Sequence, residues 1–311
     1  MADLTYLRQA FALIGEDPAR VLAPGTAHLI AQGHEIVSQQ AIPGVRLEAR
    51  SEEGIVKARL EIAPGARIAQ PIHLCFGLFE RFGSQNVDLE VRLGEDARAT
   101  VWSHCLFTLP QAALHAMNAR IELAAGAELV SNETHYHGLY GRIEVIPRAT
   151  VRVGPRARYA ADFVLVQGLV GRLDIDYAVA VAEDGVAELT SKVYGHAADR
   201  IRIREAVSLD GARARGLVKT RVAVEDEADA DIVGATYGNA AGARGHVDCM
   251  EIVRGKATAR AVPEVRVSHP EAKVTHEAAI GSVDARQLET LMARGLAPDE
   301  AVDRIVLGML R

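Results

Sequence analysis

Three side chains near the C-terminal end of the 311-residue sequence have the chemistry to bind a metal ion: Cys249, His276 and Glu277. A cysteine thiolate is the natural ligand for iron and the natural acceptor of sulfane sulfur. Imidazole and carboxylate groups also bind iron, although more weakly than a thiolate does. Mixed ligands of this kind would suit a site that must later release what it holds.

Cys249 has two interpretations that the sequence leaves open. If residues 246–253 form one strand, Cys249 shares a face with Val247, Glu251 and Val253, because alternate residues of a strand point to the same side. The two valines favour a core position, where cysteine usually acts as a small, inert hydrophobic residue. Glu251 indicates instead that this face is not wholly apolar, so a ligand and a core residue are equally well supported.

His276 and Glu277 are neighbours, and neighbouring residues of a strand point to opposite faces. They would therefore bind one metal centre together only at a bend or between two subunits. From residue types alone, a surface histidine beside a solvated glutamate is the more common arrangement. His246 and His269, which flank the same segment, are modest candidates.

Other histidines and cysteines are weaker candidates. His135 and His137 would lie on one strand face and could chelate a metal ion. No third ligand lies near them in the sequence, which favours a packed or solvated pair. Cys75 and Cys105 stand among leucine, phenylalanine and valine residues, so we expect both in the core.

The composition argues against several classes of protein. The formal net charge is −6, without a basic cluster or tail, which argues against a nucleic-acid binder. The N-terminal residues lack the features of a signal peptide, and no stretch approaches the roughly 20 apolar residues of a transmembrane helix. Three widely spaced cysteines do not make a disulfide framework, so we expect a protein of the reducing cytoplasm.

A repeated phrase in the middle of the chain predicts the element that carries these side chains. The phrase is a small or turn residue, then alanine, one variable residue and an apolar or small one. Its first five alanines are 30 or 31 residues apart, and later intervals fall to 15 or 16: Ala66, Ala97, Ala127, Ala157 and Ala187, then Ala212 to Ala228 and Ala257 to Ala272. Such a period is typical of a solenoid and predicts an all-β fold, a parallel β-helix. An ordinary β-sandwich is the alternative.

The sequence divides into three parts: an N-terminal helical segment (1–45), a β-helix core (46–283) and a C-terminal helical region (284–311). The N-terminal prediction rests on apolar residues at helical spacing, which are Leu4, Leu7, Phe11 and Ile14.

The C-terminal region predicts a helical hairpin. Asp284 is a good N-cap with Gln287 three residues later, Gly295 suits the end of the first helix, and Pro298 suits the start of the second. The hairpin would either cap the open end of the solenoid or dock a partner. Residue patterns alone favour the cap, because exposed strand edges at a solenoid end promote aggregation.

Several short motifs resemble those of one known family. They are His269-Pro270, His276-Glu277-Ala278, Met292 to Leu296 (Met-x-Arg-Gly-Leu), Ile305 to Gly308 (Ile-Val-x-Gly) and the earlier Pro71-Ile72-His73-Leu74. In this combination, over about residues 50–311, the sequence resembles the SufB/SufD family of iron–sulfur cluster assembly scaffolds, as a short SufB-like form.

The resemblance implies a right-handed β-helix that forms a homodimer or pairs with a SufB/SufD-like partner. It also implies that the C-terminal helical region binds the ABC-type ATPase SufC. The chain itself would be no enzyme, and it has no Walker A loop, so ATP would be bound by that partner. Cys249, His276 and Glu277 become the expected ligands of a transient iron–sulfur cluster. The His276-Glu277 pair is typical of the SufB branch, since SufD proteins commonly have glycine after the histidine.

The sequence departs from the family pattern at one cysteine. In larger SufB proteins the assembly cysteine precedes the small-residue run that leads to Val-Pro, where this sequence has Lys256-Ala257-Thr258. Either Cys249 takes its role, or the site is built differently, or the chain is a SufD-like helper.

Two other classes of protein are alternatives: a self-associating structural β-helix without metal chemistry, and a carbohydrate-active β-helix. The low aromatic content of 5% argues against the carbohydrate-active enzyme.

Overall fold

The computed structural model of the protein describes residue 11 and residues 17–310, which form mostly β-strands. The strands are β1 His28–Gln32, β2 Glu35–Gln40, β3 Val45–Glu52, β4 Ile55–Ile62, β5 Ile72–Gly77, β6 Phe82–Leu93, β7 Arg98–Phe107, β8 Ala112–Leu123, β9 Glu128–His137, β10 Ile143–Val153, β11 Arg158–Leu165, β12 Gly171–Val181, β13 Val186–Gly195, β14 Arg200–Leu209, β15 Arg215–Val224, β16 Asp229–Gly238, β17 Arg244–Val253, β18 Thr258–Val267 and β19 Lys273–Gly281. The helices are α1 Pro18–Val21, α2 Ala285–Ala293 and α3 Pro298–Met309. Within this described part of the chain, no helix is long and apolar enough to span a bilayer.

From β4 onward, successive strands alternate between two sheets, so that each coil of the chain contributes one strand to each sheet. The first sheet has ten strands in the order β19-β17-β15-β13-β11-β9-β7-β5-β1-β2, and the second has nine in the order β18-β16-β14-β12-β10-β8-β6-β4-β3. From β4 and β5 onward, neighbouring strands in both sheets are parallel. The predicted parallel β-helix is therefore confirmed, and the sandwich alternative is wrong.

The repeat in the sequence corresponds to this winding. Arg200 pairs with Asp229 one coil later, an offset of 29 residues, and equivalent alanines such as Ala127 and Ala157 are buried at one corner of successive coils. The later intervals of 15 or 16 residues are half-coils, since Ala257 directly precedes β18 of the second sheet and Ala272 directly precedes β19 of the first.

Strand alternation builds the core between the two sheets. In β14, Ile201 and Ile203 are buried while Arg202 between them is exposed. Equivalent inward residues of successive coils stack on one another, because the parallel strands are paired in register. A side chain inside the solenoid therefore contacts residues that are about 29 positions away in the sequence.

The N-terminal segment differs from its prediction. Leu4, Leu7 and Ile14 lie outside the described residues. Within 17–45 only α1 is helical, and residues 28–40 form the antiparallel hairpin β1–β2 instead. The physical reason is that β1 extends the first sheet by parallel pairing with β5, which satisfies backbone groups that would otherwise lie at its edge.

The C-terminal hairpin forms as predicted, with an Asp284 cap whose Oδ1 accepts a 2.8 Å hydrogen bond from the Gln287 amide. Its position differs from the expectation of a cap. Helix α3 packs against the outer face of the first sheet, where Val306 is buried with Tyr194 and Ala223. These apolar outer positions of the sheet hold the hairpin at the side of the solenoid, so among the described residues nothing covers the C-terminal end of the solenoid.

Candidate functional site

Cys249 lies on β17 and points into the interior of the solenoid, one coil below its C-terminal end. It is 1% exposed and shares the inner face with Val247 and Glu251, which confirms the predicted alternation. Burial raises the pKa of the thiol to about 11. At neutral pH the thiol is therefore protonated, and a metal ion would have to displace its proton to bind.

Glu251 is the most unusual group in this part of the core. It is 1% exposed, and neither carboxylate oxygen has a hydrogen-bond partner among the described residues. Burial raises its pKa to about 7. A buried carboxyl group without partners is costly for a folded chain, and a bound proton or cation would offset that cost.

Other polar side chains accompany Cys249 inside the solenoid. Thr220 is its register partner on β15, and Ser191 precedes Thr220 in the same row on β13. From the opposite sheet, Glu205 accepts a 2.7 Å hydrogen bond from the Ser191 hydroxyl. We call Ser191, Glu205, Thr220, Cys249 and Glu251 the Cys249 layer. It is one polar region of the solenoid interior.

A glycine makes room beside the thiol. A Cβ atom at Gly234 would lie 3.3 Å from Cys249 Sγ and 2.8 Å from a methyl group of Val247. The second sheet therefore approaches Cys249 closely only because residue 234 has no side chain.

His276 and Glu277 lie on β19, the last strand of the first sheet. His276 pairs in register with Val247 and Glu277 with Asp248, so His276 has the same facing as Cys249 and Glu277 has the opposite one. From strand geometry, the Cα atoms of His276 and Cys249 are about 8 Å apart. Both β19 residues are exposed. The strand has no bend at this point, so the structure brings His276 but not Glu277 to the face of Cys249.

The C-terminal end of the solenoid exposes apolar side chains. Val265, Val267 and Ile280 are 37%, 49% and 51% exposed. Beyond β18 and β19 no further strand pairs with either sheet in the described part of the chain, and the hairpin lies to one side. Cys249, Glu251 and His276 therefore present sulfur, oxygen and nitrogen donors at or just below an open end, a donor set that suits iron.

The weaker candidates have separate positions. His246 lies on the outer face of β17, where its ring is hydrogen-bonded to the Thr275 hydroxyl at 2.8 Å. His269 lies in the connection after β18, where its ring accepts a hydrogen bond from the Glu271 amide. Cys75 is buried as expected, in a small cluster with Phe11. None of these side chains points toward the Cys249 layer.

His135, His137 and Cys105 are all buried inside the solenoid, far from Cys249 along its axis. The predicted common face of the two histidines is confirmed. Cys105 is in the core as predicted, but Nε2 of His115 lies 3.7 Å from its Sγ.

The sequence analysis did not identify His115 as a candidate ligand, because His115 comes from the other sheet. The sequence analysis also did not name Glu251 as a candidate ligand. The signal for it was present, because Glu251 is an acidic residue on a strand face that is otherwise apolar.

Comparison with known proteins agrees with this architecture. Residues 80–309 match the model for the SufBD core domain of the SUF system for FeS cluster assembly. An iron–sulfur cluster assembly SufBD family protein of Methanocaldococcus jannaschii is 36% identical over 99% of this chain and 98% of its own. A second, from Pyrococcus horikoshii, is 34% identical over 91% of this chain and 86% of its own.

A more distant similarity covers a shorter segment. The iron–sulfur cluster assembly protein SufB of Bacillus subtilis is 32% identical over 72 residues, which are 23% of this chain and 16% of that protein. The family model and the two long matches together cover most of the solenoid and its C-terminal hairpin. The chain therefore belongs to the SufBD family of iron–sulfur cluster assembly proteins.

Proposed function

We propose that this chain is a non-enzymatic scaffold that holds an iron–sulfur cluster, as cargo, at the open C-terminal end of its solenoid. The observation that carries the proposal is the pairing of the buried thiol of Cys249 with the unpartnered carboxyl group of Glu251, one coil below that end. Family membership supplies the chemistry, and these residues supply a place for it.

The ligand chemistry is consistent with temporary binding. Cys249 would give a thiolate once iron displaces its proton, and Glu251 and His276 would add weaker oxygen and nitrogen ligands. A ligand set with a single thiolate holds a cluster less firmly than four thiolates do. Glu277 lies on the outer face of β19, so it would reach the same cluster only from a second subunit.

A second copy of the chain is the proposed cover for the open end. Two solenoids that meet end to end would bury Val265, Val267 and Ile280 and pair the free edges of β18 and β19. A twofold contact of this kind closes on itself and gives a homodimer rather than a filament. A SufB/SufD-like partner with a similar end is the alternative occupant.

The C-terminal hairpin is the proposed docking site for a SufC-type ABC ATPase. A groove of about 920 Å³ lies between the hairpin and the ends of β17 and β19. Met292 and Leu307 of the hairpin remain 41% and 39% exposed, which leaves apolar surface for a partner. ATP hydrolysis would belong to that partner, because this chain has no Walker A loop.

The three cysteines suit a reducing compartment, since none of them forms a disulfide bond. We therefore expect the scaffold to act in the cytoplasm, where the partner ATPase would also have access to ATP.

Anaerobic reconstitution tests the proposal. The purified chain should co-elute with its cognate SufC-type ATPase and develop the visible absorption of a cluster when iron and sulfide are added. Cys249→Ala, and separately His276→Ala, should weaken that absorption while the circular dichroism of the strands is unchanged. Cys75→Ala is the matched control, because Cys75 is equally buried on another part of the solenoid. Full absorption in Cys249→Ala would refute the assigned site.

The open end also favours a second candidate, a self-associating structural β-helix without metal chemistry. The N-terminal end of the solenoid is closed by the antiparallel pairs β1–β2 and β3–β4. It therefore offers no surface that matches the open C-terminal end, as head-to-tail stacking would need. Electron microscopy separates the candidates: filaments would support the structural protein, and discrete particles would support the scaffold.

A further inference from the structure

A second set of metal-binding side chains lies in the N-terminal half of the solenoid. Cys105 on β7, His115 on β8 and His135 on β9 are each at most 1% exposed. One ligand atom from each lies within 4.8 Å of the other two. Five strand spacings separate β7 from β17 in the first sheet, which is about 24 Å along the axis. This group is therefore separate from the Cys249 layer.

The winding of the chain brings the three residues together. Cys105 and His135 are register partners on adjacent strands of the first sheet. His115 comes from the second sheet and reaches across the core, where its Nε2 lies 3.7 Å from Cys105 Sγ. Metal–sulfur and metal–nitrogen bonds of zinc-site length at a tetrahedral angle would place these two atoms about 3.6 Å apart. The observed distance between Cys105 Sγ and His115 Nε2 therefore matches the distance between two ligand atoms of a tetrahedral zinc site.

His135 has the outer hydrogen bond that metal-binding histidines typically have. Its Nε2 lies 2.7 Å from Oε1 of Glu133, and its Nδ1 has no partner among the described residues. A carboxylate that accepts a bond from one ring nitrogen fixes the tautomer and leaves the other nitrogen as a ligand. With Nε2 held by Glu133, Nδ1 is the ring nitrogen of His135 that is left to bind a metal ion.

Phenylalanine rings pack against both histidines of the group. The ring of Phe107 is centred 4.9 Å from that of His115, and the ring of Phe163 is centred 4.8 Å from that of His135. The Nδ1 atom of His135 is buried without a partner among the described residues. A buried polar atom without a partner is costly, and a cation bound there would satisfy it.

We propose that Cys105, His115 and His135 bind one borderline-soft divalent cation of the zinc type, as a resident ion that joins the two sheets. Binding forms one metal–sulfur and two metal–nitrogen bonds and releases the thiol proton of Cys105 to solvent. The ion is distinct from the cluster proposed at Cys249, and its assignment does not depend on that function.

Cobalt is the probe, because a cobalt–thiolate bond gives a near-ultraviolet charge-transfer band and a tetrahedral site gives visible bands. The full chain is produced in medium supplemented with Co²⁺, in the Cys249→Ser background, so that the other proposed site does not contribute. We expect about one bound equivalent with both sets of bands. A chain without these bands, or with less than about a tenth of an equivalent, would overturn the proposal.

Variants assign the ligands. Cys105→Ser should remove the charge-transfer band, and His135→Gln should lower the bound metal about tenfold or more. Cys75→Ser is the matched control and should leave the bands intact. If Cys105→Ser does not fold, Glu133→Gln decides, because it keeps a hydrogen-bonding group beside His135 but should weaken Co²⁺ affinity about tenfold. Unchanged affinity in Glu133→Gln, or a band that persists in folded Cys105→Ser, would contradict the assigned site.

Discussion

Val247 and His276 are register partners on adjacent strands, yet Val247 is fully buried and His276 is exposed. The difference arises because the next coil covers Val247, Cys249 and Glu251 on the inner face of β17, whereas no coil of the described residues lies above the inner face of β19. The boundary between core and surface therefore passes between these two strands. Cys249 and Glu251 lie on the buried side of it and His276 lies on the open side, so a ligand between them would be half enclosed.

Ile280 tests whether a second copy covers this end. If two solenoids meet there, Ile280→Arg places a charge in the contact and removes apolar burial of about 2 kcal/mol per subunit. We expect the dimer dissociation constant to rise by at least about tenfold, as measured by sedimentation equilibrium. Leu139→Arg is the control, since Leu139 is 83% exposed in the loop between β9 and β10. Equal dimerisation in both variants would exclude pairing through this end.

Variants at two neighbouring residues of α3 distinguish the packing of the hairpin on the solenoid from the binding of a partner. Val306 is fully buried against the solenoid, whereas Leu307 is 39% exposed. Val306→Asp should release the hairpin, because it buries an unpaired charge, and proteolysis between β19 and α3 should become faster. Leu307→Asp should leave the hairpin docked but weaken co-elution of the SufC-type ATPase. Unchanged co-elution in Leu307→Asp would place the ATPase on another surface.

The parts of this fold that follow from local patterns were predictable from the sequence. The alternation of Val247, Cys249 and Glu251 fixes their common face, and Asp284 with Gly295 fixes the limits of α2, because strand period and helix caps depend on residues close in the chain. The corner alanines revealed the coils for the same reason.

The remaining features depend on contacts between distant segments. His115 meets Cys105 only because the coils of the two sheets are in a particular register, which no local pattern specifies. The side position of α3 depends on Tyr194, which lies more than a hundred residues earlier in the sequence. The exposed last coil likewise reflects where pairing stops, and β19 itself has an ordinary strand sequence.

Glu205 should make the stability of the fold depend on pH. Burial raises its pKa from the ordinary value near 4.5 to about 7, so between these values the folded chain binds a proton that the unfolded chain has lost. Its contribution is fully present below about pH 4.5 and is lost as pH rises through 7, with a total on the order of 3 kcal/mol. Glu133 and Glu251 shift in the same direction.

Urea unfolding at pH 5 and pH 8 measures this effect. Glu205→Gln keeps an oxygen that accepts the bond from Ser191 but cannot ionise, so the loss of stability between the two pH values should become smaller. Glu188→Gln is the control, because Glu188 forms a partly exposed ion pair with Arg158 on the outer face. An identical pH dependence in wild type and Glu205→Gln would show that Glu205 is solvated in the folded chain.

Gly168 and Gly65 should respond differently to alanine. Both have a left-handed backbone, with φ of +79° and +69°, but a Cβ at Gly168 would lie 2.1 Å from the His137 carbonyl oxygen, whereas one at Gly65 meets nothing within 4 Å. Gly65→Ala should therefore cost only the conformational penalty of about 1 kcal/mol. In Gly168→Ala the new Cβ must also push the backbones of two coils apart, and we expect the free energy of unfolding to fall by about 3 kcal/mol or more.

The carbonyl that Gly168 approaches belongs to β9, the strand that carries His135. Separation of these coils should therefore disturb the proposed metal group as well as lower the thermal midpoint. We expect Gly168→Ala to weaken the cobalt bands while Gly65→Ala leaves them unchanged, although both chains fold at low temperature. If both variants lose equal stability and retain equal cobalt absorption, close coil contact at Gly168 is not what holds His135 in place.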